Sequence, residues 1–172
     1  MSYLAIRDGA VARIRAGMLP LFPGMRIEPH PGAFTEQTIK QAAQRTPAVL
    51  TSLVRAADGT HANSITFVSW VLYRASNEDR LYDGALKIVS ALIPVIRGAD
   101  FALDIKDTTA DAECLYSGSL DAMAVTLWAV RREMVLGSRA LPQPSAEGLG
   151  DIEGFDGSIA VGAVQTETNM EE

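Results

Sequence analysis

Two histidines, His30 and His61, are the side chains best suited to exchange a proton near neutral pH. Both fall in stretches that read as loops, and neither has a cysteine or a second histidine at metal-ligand spacing. They are expected to be surface loop residues. Five acids, Asp104, Asp107, Asp111, Glu113 and Asp121, would hold a cation only if the fold gathered them, and they lack the spacing and glycine of a calcium loop. They read as solvated residues on different strands and turns. Asp151-Ile152-Glu153-Gly154-Phe155-Asp156-Gly157 comes nearer to such a loop, but Phe155 stands where a ligand is needed. Ser117-Gly118-Ser119 lacks the strand-to-helix turn and the partner histidine of an activated serine, and it reads as a turn. There is no glycine-rich phosphate loop. These patterns point away from an enzyme and predict neither a metal ion nor a cofactor.

The elements that would carry a function are more legible. Tyr3 to Met18 places Leu4, Val11, Ile14 and Met18 at helical spacing, and Pro20, Pro23 and Gly24 end that helix. Met25 to Glu28 reads as a short edge strand closed by Pro29, and Thr35 to Arg45 as a short helix capped by Thr35. Ala48 to Val54 and Asn63 to Arg74 are apolar runs joined across Asp58-Gly59, a favoured turn dipeptide, which predicts a hairpin. The second run carries Ile65, Phe67, Val71 and Tyr73 on one face and Val68, Trp70 and Leu72 on the other. A strand solvated on one side alternates apolar with polar residues, and this one does not.

A helix from Ser76 to Arg97 follows, with Tyr82, Ala85, Leu86, Val89, Leu92, Ile93 and Ile96 as its apolar stripe. Phe101 to Lys106 and Asp111 to Tyr116 read as two strands. Ala122 to Met134 reads as a longer one, with Met123, Val125 and Leu127 facing one way, Trp128 and Val130 the other, and Arg131, Arg132 and Glu133 marking its exit to solvent. The order predicts an α+β domain over residues 1–138, a mixed, mainly antiparallel sheet with amphipathic helices packed on one face.

Acids and bases balance 14 to 14 over residues 1–138, whereas residues 139–172 hold Arg139 against seven acids, so the formal net charge of −6 lies in that last segment. With Pro142, Pro144 and five glycines it reads as an acidic extended C-terminal arm. Within it Ser158 to Gln165 has a pattern suited to adding a strand to a neighbour's sheet edge. Neither part shows the basic stripe of a sequence-specific nucleic-acid binder. The apolar run Ile65 to Tyr73 is too short to span a membrane, the N-terminus lacks a signal-peptide core, and the lone Cys114 fits a reducing compartment, so the chain is expected in the cytoplasm at synthesis. Bulk on both strand faces suggests subunit contact. Phe67, Trp70, Tyr73, Trp128, Ile159 and Val161 are the candidate interface residues, with Trp70, Tyr73 and Trp128 read as interface or core anchors.

Three stretches carry a family resemblance: Ile6-Arg7-Asp8-Gly9-Ala10-Val11-Ala12-Arg13-Ile14, Thr46-Pro47-Ala48-Val49-Leu50, and Asn77-Glu78-Asp79-Arg80 running into Tyr82-Asp83-Gly84-Ala85-Leu86-Lys87-Ile88-Val89. In their order and spacing, over most of residues 3–134, the chain resembles the small tail proteins of Mu-like tailed phages and prophages. The resemblance implies a structural virion protein whose nearest functional analogues are tail terminators, small α+β subunits that form a hexameric ring capping the tail tube. Its implied partners are further copies of itself, the tail tube protein and the head-tail connector protein, with DNA passing through the ring. It also implies a place in the virion tail or neck after assembly in the host cytoplasm. A head-tail connector or tail-completion protein at the same junction shares this type of fold. Two readings from other classes are a small ligand-binding domain or enzyme, with a pocket between the sheet and the Ser76 to Arg97 helix, and a regulatory adaptor acting through the acidic arm.

Overall fold

The computed structural model describes residues 3–32, 35–57, 63–76, 78–100, 103–120 and 123–137. In chain order the elements are α1 (Tyr3–Met18), β1 (Arg26–Pro29), α2 (Glu36–Ala43), β2 (Ala48–Ala57), β3 (Asn63–Ala75), α3 (Glu78–Arg97), β4 (Ile105–Leu120) and β5 (Met123–Leu136). The strands form one sheet in the order β1-β2-β3-β5-β4. β1 runs parallel to β2 and every other pairing is antiparallel, so the domain is α+β with a mixed, mainly antiparallel sheet. The Asp58-Gly59 turn and the arm over residues 139–172 lie outside the described residues.

The long helices form where the apolar spacing puts them, but each is rolled from its predicted stripe. α1 buries Ile6, Ala10, Val11, Ile14 and Met18, while Leu4 is 61% exposed. α3 buries Leu81, Ala85, Ile88, Val89, Leu92 and Ile96, leaving Leu86 and Ile93 at the margin and Tyr82 half exposed. The roll follows from two simultaneous contacts, since α3 packs on the sheet and against α1. The helices meet closely at Gly17, where an added Cβ would lie 2.7 Å from both Val95 methyls. Pro94 falls on the exposed side of α3, where a carbonyl that loses its backbone donor is open to solvent.

Both faces of the sheet are covered, by different helices. Val11 and Ile14 of α1 and Ala85, Ile88, Val89 and Leu92 of α3 share one core with Val49, Val71, Trp128 and Val130 of the sheet. Ile39 and Ala42 of α2 pack on the other side, with Ala48, Leu50, Trp70, Leu72 and Leu127. Packing on a single face therefore describes α1 and α3 only. α2 lies in the connection between the parallel neighbours β1 and β2, which cannot be joined by a tight hairpin and need a crossover. It is well capped: the Thr35 hydroxyl accepts from the Thr38 N–H at 3.2 Å, and the Thr38 hydroxyl accepts from the Thr35 N–H at 2.8 Å.

The region read as two strands is one. β4 runs unbroken from Ile105 to Leu120 beside β5, with bulges between Ile105 and Asp107 and between Cys114 and Tyr116. Each bulge inserts an extra residue and breaks the alternation on which the sequence reading relied. Ser117-Gly118-Ser119 is thus inside a strand rather than a turn. Asp107, Asp111 and Glu113, opposite Val135, Arg131 and Ala129, share the β4 face turned away from α3 instead of being scattered over turns.

Candidate functional site

The aromatic candidates are core residues of the single subunit. Phe67, Trp70 and Trp128 are 4%, 7% and 7% exposed. Phe67 packs under α1 with Ile6, Ala10, Ile65 and Met134. Trp70 faces the α2 side and meets the His30 ring edge-on, with centroids 5.6 Å apart. Trp128 faces α3 and meets Tyr82 at 5.5 Å. Tyr73 is half-buried, its ring filling the space over Gly84 that a side chain there would occupy. The bulk on both faces of β3 is therefore covered within one chain and does not by itself call for a partner. Ile159 and Val161 lie outside the described residues.

Beneath α1 and α3 lies a polar cluster that sequence reasoning missed. Arg132, read as part of an exit to solvent, is 2% exposed. Its Nε donates to the Thr108 hydroxyl at 3.1 Å, and a terminal nitrogen donates to the Arg97 carbonyl at 3.2 Å. Arg97 is the last residue of α3, so this cation meets the electron-rich end of the helix. Burial lowers the Arg132 pKa, the Arg97 charge lowers it further, and Asp100 opposes the shift. Nearby, the Thr51 and Ser69 hydroxyls share a hydrogen bond of 3.0 Å. The cavity lined by Arg13, Thr51, Ser69 and Arg132 is only about 10 Å³, room for roughly one water and for no metabolite. The signal for Arg132 was its place in the alternation Trp128, Val130, Arg132, Met134, all on one face of β5. Among the described residues, no three of His, Cys, Asp or Glu gather where a metal ion would be held. No helix among them is long and apolar enough to cross a membrane.

His30 is a half-buried loop residue rather than a wholly solvated one. Its Nδ1 accepts from the Gly32 N–H at 3.1 Å, which requires an unprotonated nitrogen. Burial against Trp70, and secondarily the Arg26 charge, lower its pKa below the ordinary 6.5. The unfolded chain then binds the proton first as pH falls. The stabilisation is complete above pH 6.5 and is lost as pH drops from there through the folded pKa. Thermal melts between pH 7.5 and 5 should show Tm falling with pH, and His30→Gln should flatten the fall; an equal fall in the variant would assign it to other groups.

The two edges of the sheet differ in kind. At the β1 edge, Arg15 Nε donates to the Ile27 carbonyl at 2.9 Å, and Pro29 has no N–H to offer. That edge is closed to strand addition. β4 forms the other edge, where no described strand pairs with its outer side, and its second bulge leaves Leu115 51% exposed. Glu113 and Cys114 beside it are exposed as well. The outer side of β4, and not the buried aromatics, is the sheet surface left without a strand neighbour among the described residues.

No protein-family model and no curated protein sequence matches this chain.

Proposed function

We propose that this chain is a structural subunit of a phage tail, a tail terminator whose ring caps the tail tube and presents a docking face to the head connector. The observation that carries the reading is the placement of the three stretches behind the resemblance. Far apart in sequence, they fall in α1, at the start of β2 and in α3, and their Val11, Ile14, Val49, Ala85, Ile88 and Val89 share one buried core. A likeness resting on order and spacing is thus supported by residues that pack together, as a common framework requires. The sheet with one closed and one available edge suits assembly between copies better than binding in a pocket. The acidic segment after Gly137 would clasp a neighbouring subunit.

Electron microscopy of particles made after inactivation of the gene in its phage or prophage tests this reading. Abnormally long tubes without heads are the expected result. Full heads beside tails of normal length would move the protein to the connector or tail-completion role, and intact infectious particles would end the structural reading.

A further inference from the structure

We propose that copies of this chain associate head to tail, the outer edge of β4 in one copy docking on the α1–β1 corner of the next. Glu113 and Leu115 of the first copy would meet Arg15 and the turn bearing Leu19 and Leu21 of the second. The inference rests on the ring reading and names the surfaces that would build it.

Charge is the first argument. Several charged groups are neutralised within their own surroundings: Arg7 with Asp8, Arg26 with Glu28, Lys106 with Asp104, and Arg131 with Glu133. Asp107, Asp111 and Glu113 on β4, and Arg15, Arg45 and Arg55 toward the other side of the sheet, have no ion pair among the described residues. Opposite charges on opposite edges of one subunit repel like edges and attract unlike ones, which favours a heterologous contact over an isologous one.

Apolar surface is the second. Each charged patch has exposed leucine beside it, Leu115 at 51% next to Glu113, and Leu19 and Leu21 at 38% and 62% just after Arg15. An apolar centre with a charged rim is the usual anatomy of a specific protein contact.

Register is the third. Following the pairings across the sheet, Ile27 aligns in turn with Val49, Val71, Trp128 and Cys114, and Glu28 with Leu50, Trp70, Ala129 and Glu113. The carbonyl that holds Arg15 is that of Ile27, so Arg15 lies at one end of the row that finishes at Cys114, between Glu113 and Leu115. The two patches therefore sit at opposite ends of one row of paired residues.

The test is native mass spectrometry and light scattering on the full chain, with Glu113→Arg, Arg15→Glu, Leu115→Asp and the double charge swap. The wild type should assemble, less tightly as salt rises. Each single variant should weaken assembly at least tenfold while keeping its circular dichroism, and the charge swap should restore it. Because Glu113 and Leu115 are exposed, their variants test the contact even if Arg15→Glu impairs folding. Assembly unchanged in Glu113→Arg and Leu115→Asp would overturn this interface and leave the ring reading standing. A wild type that stays monomeric at all concentrations would overturn both, and a closed dimer would replace the heterologous contact with an isologous one.

Discussion

Trp128→Ala is expected to destabilise the domain by about 3–5 kcal/mol, the usual cost of deleting a large aromatic from a core. The indole belongs to the core that α1 and α3 share with the sheet, paired with Val71 on β3 and covered by α3, with Tyr82 against its ring. With total stability of about 5–15 kcal/mol for a domain, a loss of this size brings the variant close to unfolding at ordinary temperatures. Trp128→Phe should behave differently. The Trp128 Nε1 is buried and has no acceptor among the described residues. Phenylalanine removes that unpaired donor while keeping most of the ring, and its cost should stay below about 1.5 kcal/mol. Urea titrations of the two variants decide the matter. Equal losses would mean that the indole nitrogen is bonded in solution, and no loss in Trp128→Ala would mean that α3 does not pack on β5 as described.

The second large effect is expected at Arg132. Arg132→Ala removes the donors to Thr108 and to the Arg97 carbonyl and empties the space beneath the end of α3. Unsatisfied buried acceptors cost about 1–3 kcal/mol each and the lost stem packing adds to that, so about 3–4 kcal/mol is expected. Arg132→Met keeps the stem and removes a buried charge whose desolvation was itself unfavourable, and should cost about half as much. Hydrogen exchange adds a readout that simple loss of volume does not predict: Arg132→Met should loosen the amides of the last turn of α3 more than those of its first turns. Uniform loosening along α3 would show that the arginine does not secure that helix end.

The two kinds of surface separate the effects of mutation on folding and on assembly. Leu115→Asp at the β4 bulge should leave thermal stability nearly unchanged, since the side chain is half exposed, whereas the Trp128 and Arg132 variants should lower it before any effect on assembly is read.

Sequence alone determined the local elements and the fold class, because their signals are short in range. Helical spacing marked α1 and α3, Thr35 marked the cap of α2, and apolar residues on both faces of β3 showed that the strand would be covered twice. The roll of α3 toward Leu81 and Ile88 was beyond that reading, because it depends on the simultaneous demands of α1 and the sheet. The unity of β4 was hidden by its bulges, which break the two-residue period. The burial of Arg132 was hidden because an arginine at the end of an apolar run looks solvated until the end of another helix is known to lie over it. Most consequential is what covers β3: the sequence showed that both faces needed cover, and only the tertiary structure decided that α1, α3 and α2 of the same chain provide it. The proposed place for a partner thereby moved from the aromatic residues to the sheet edges, since exposure belongs to the packed chain and not to any residue type.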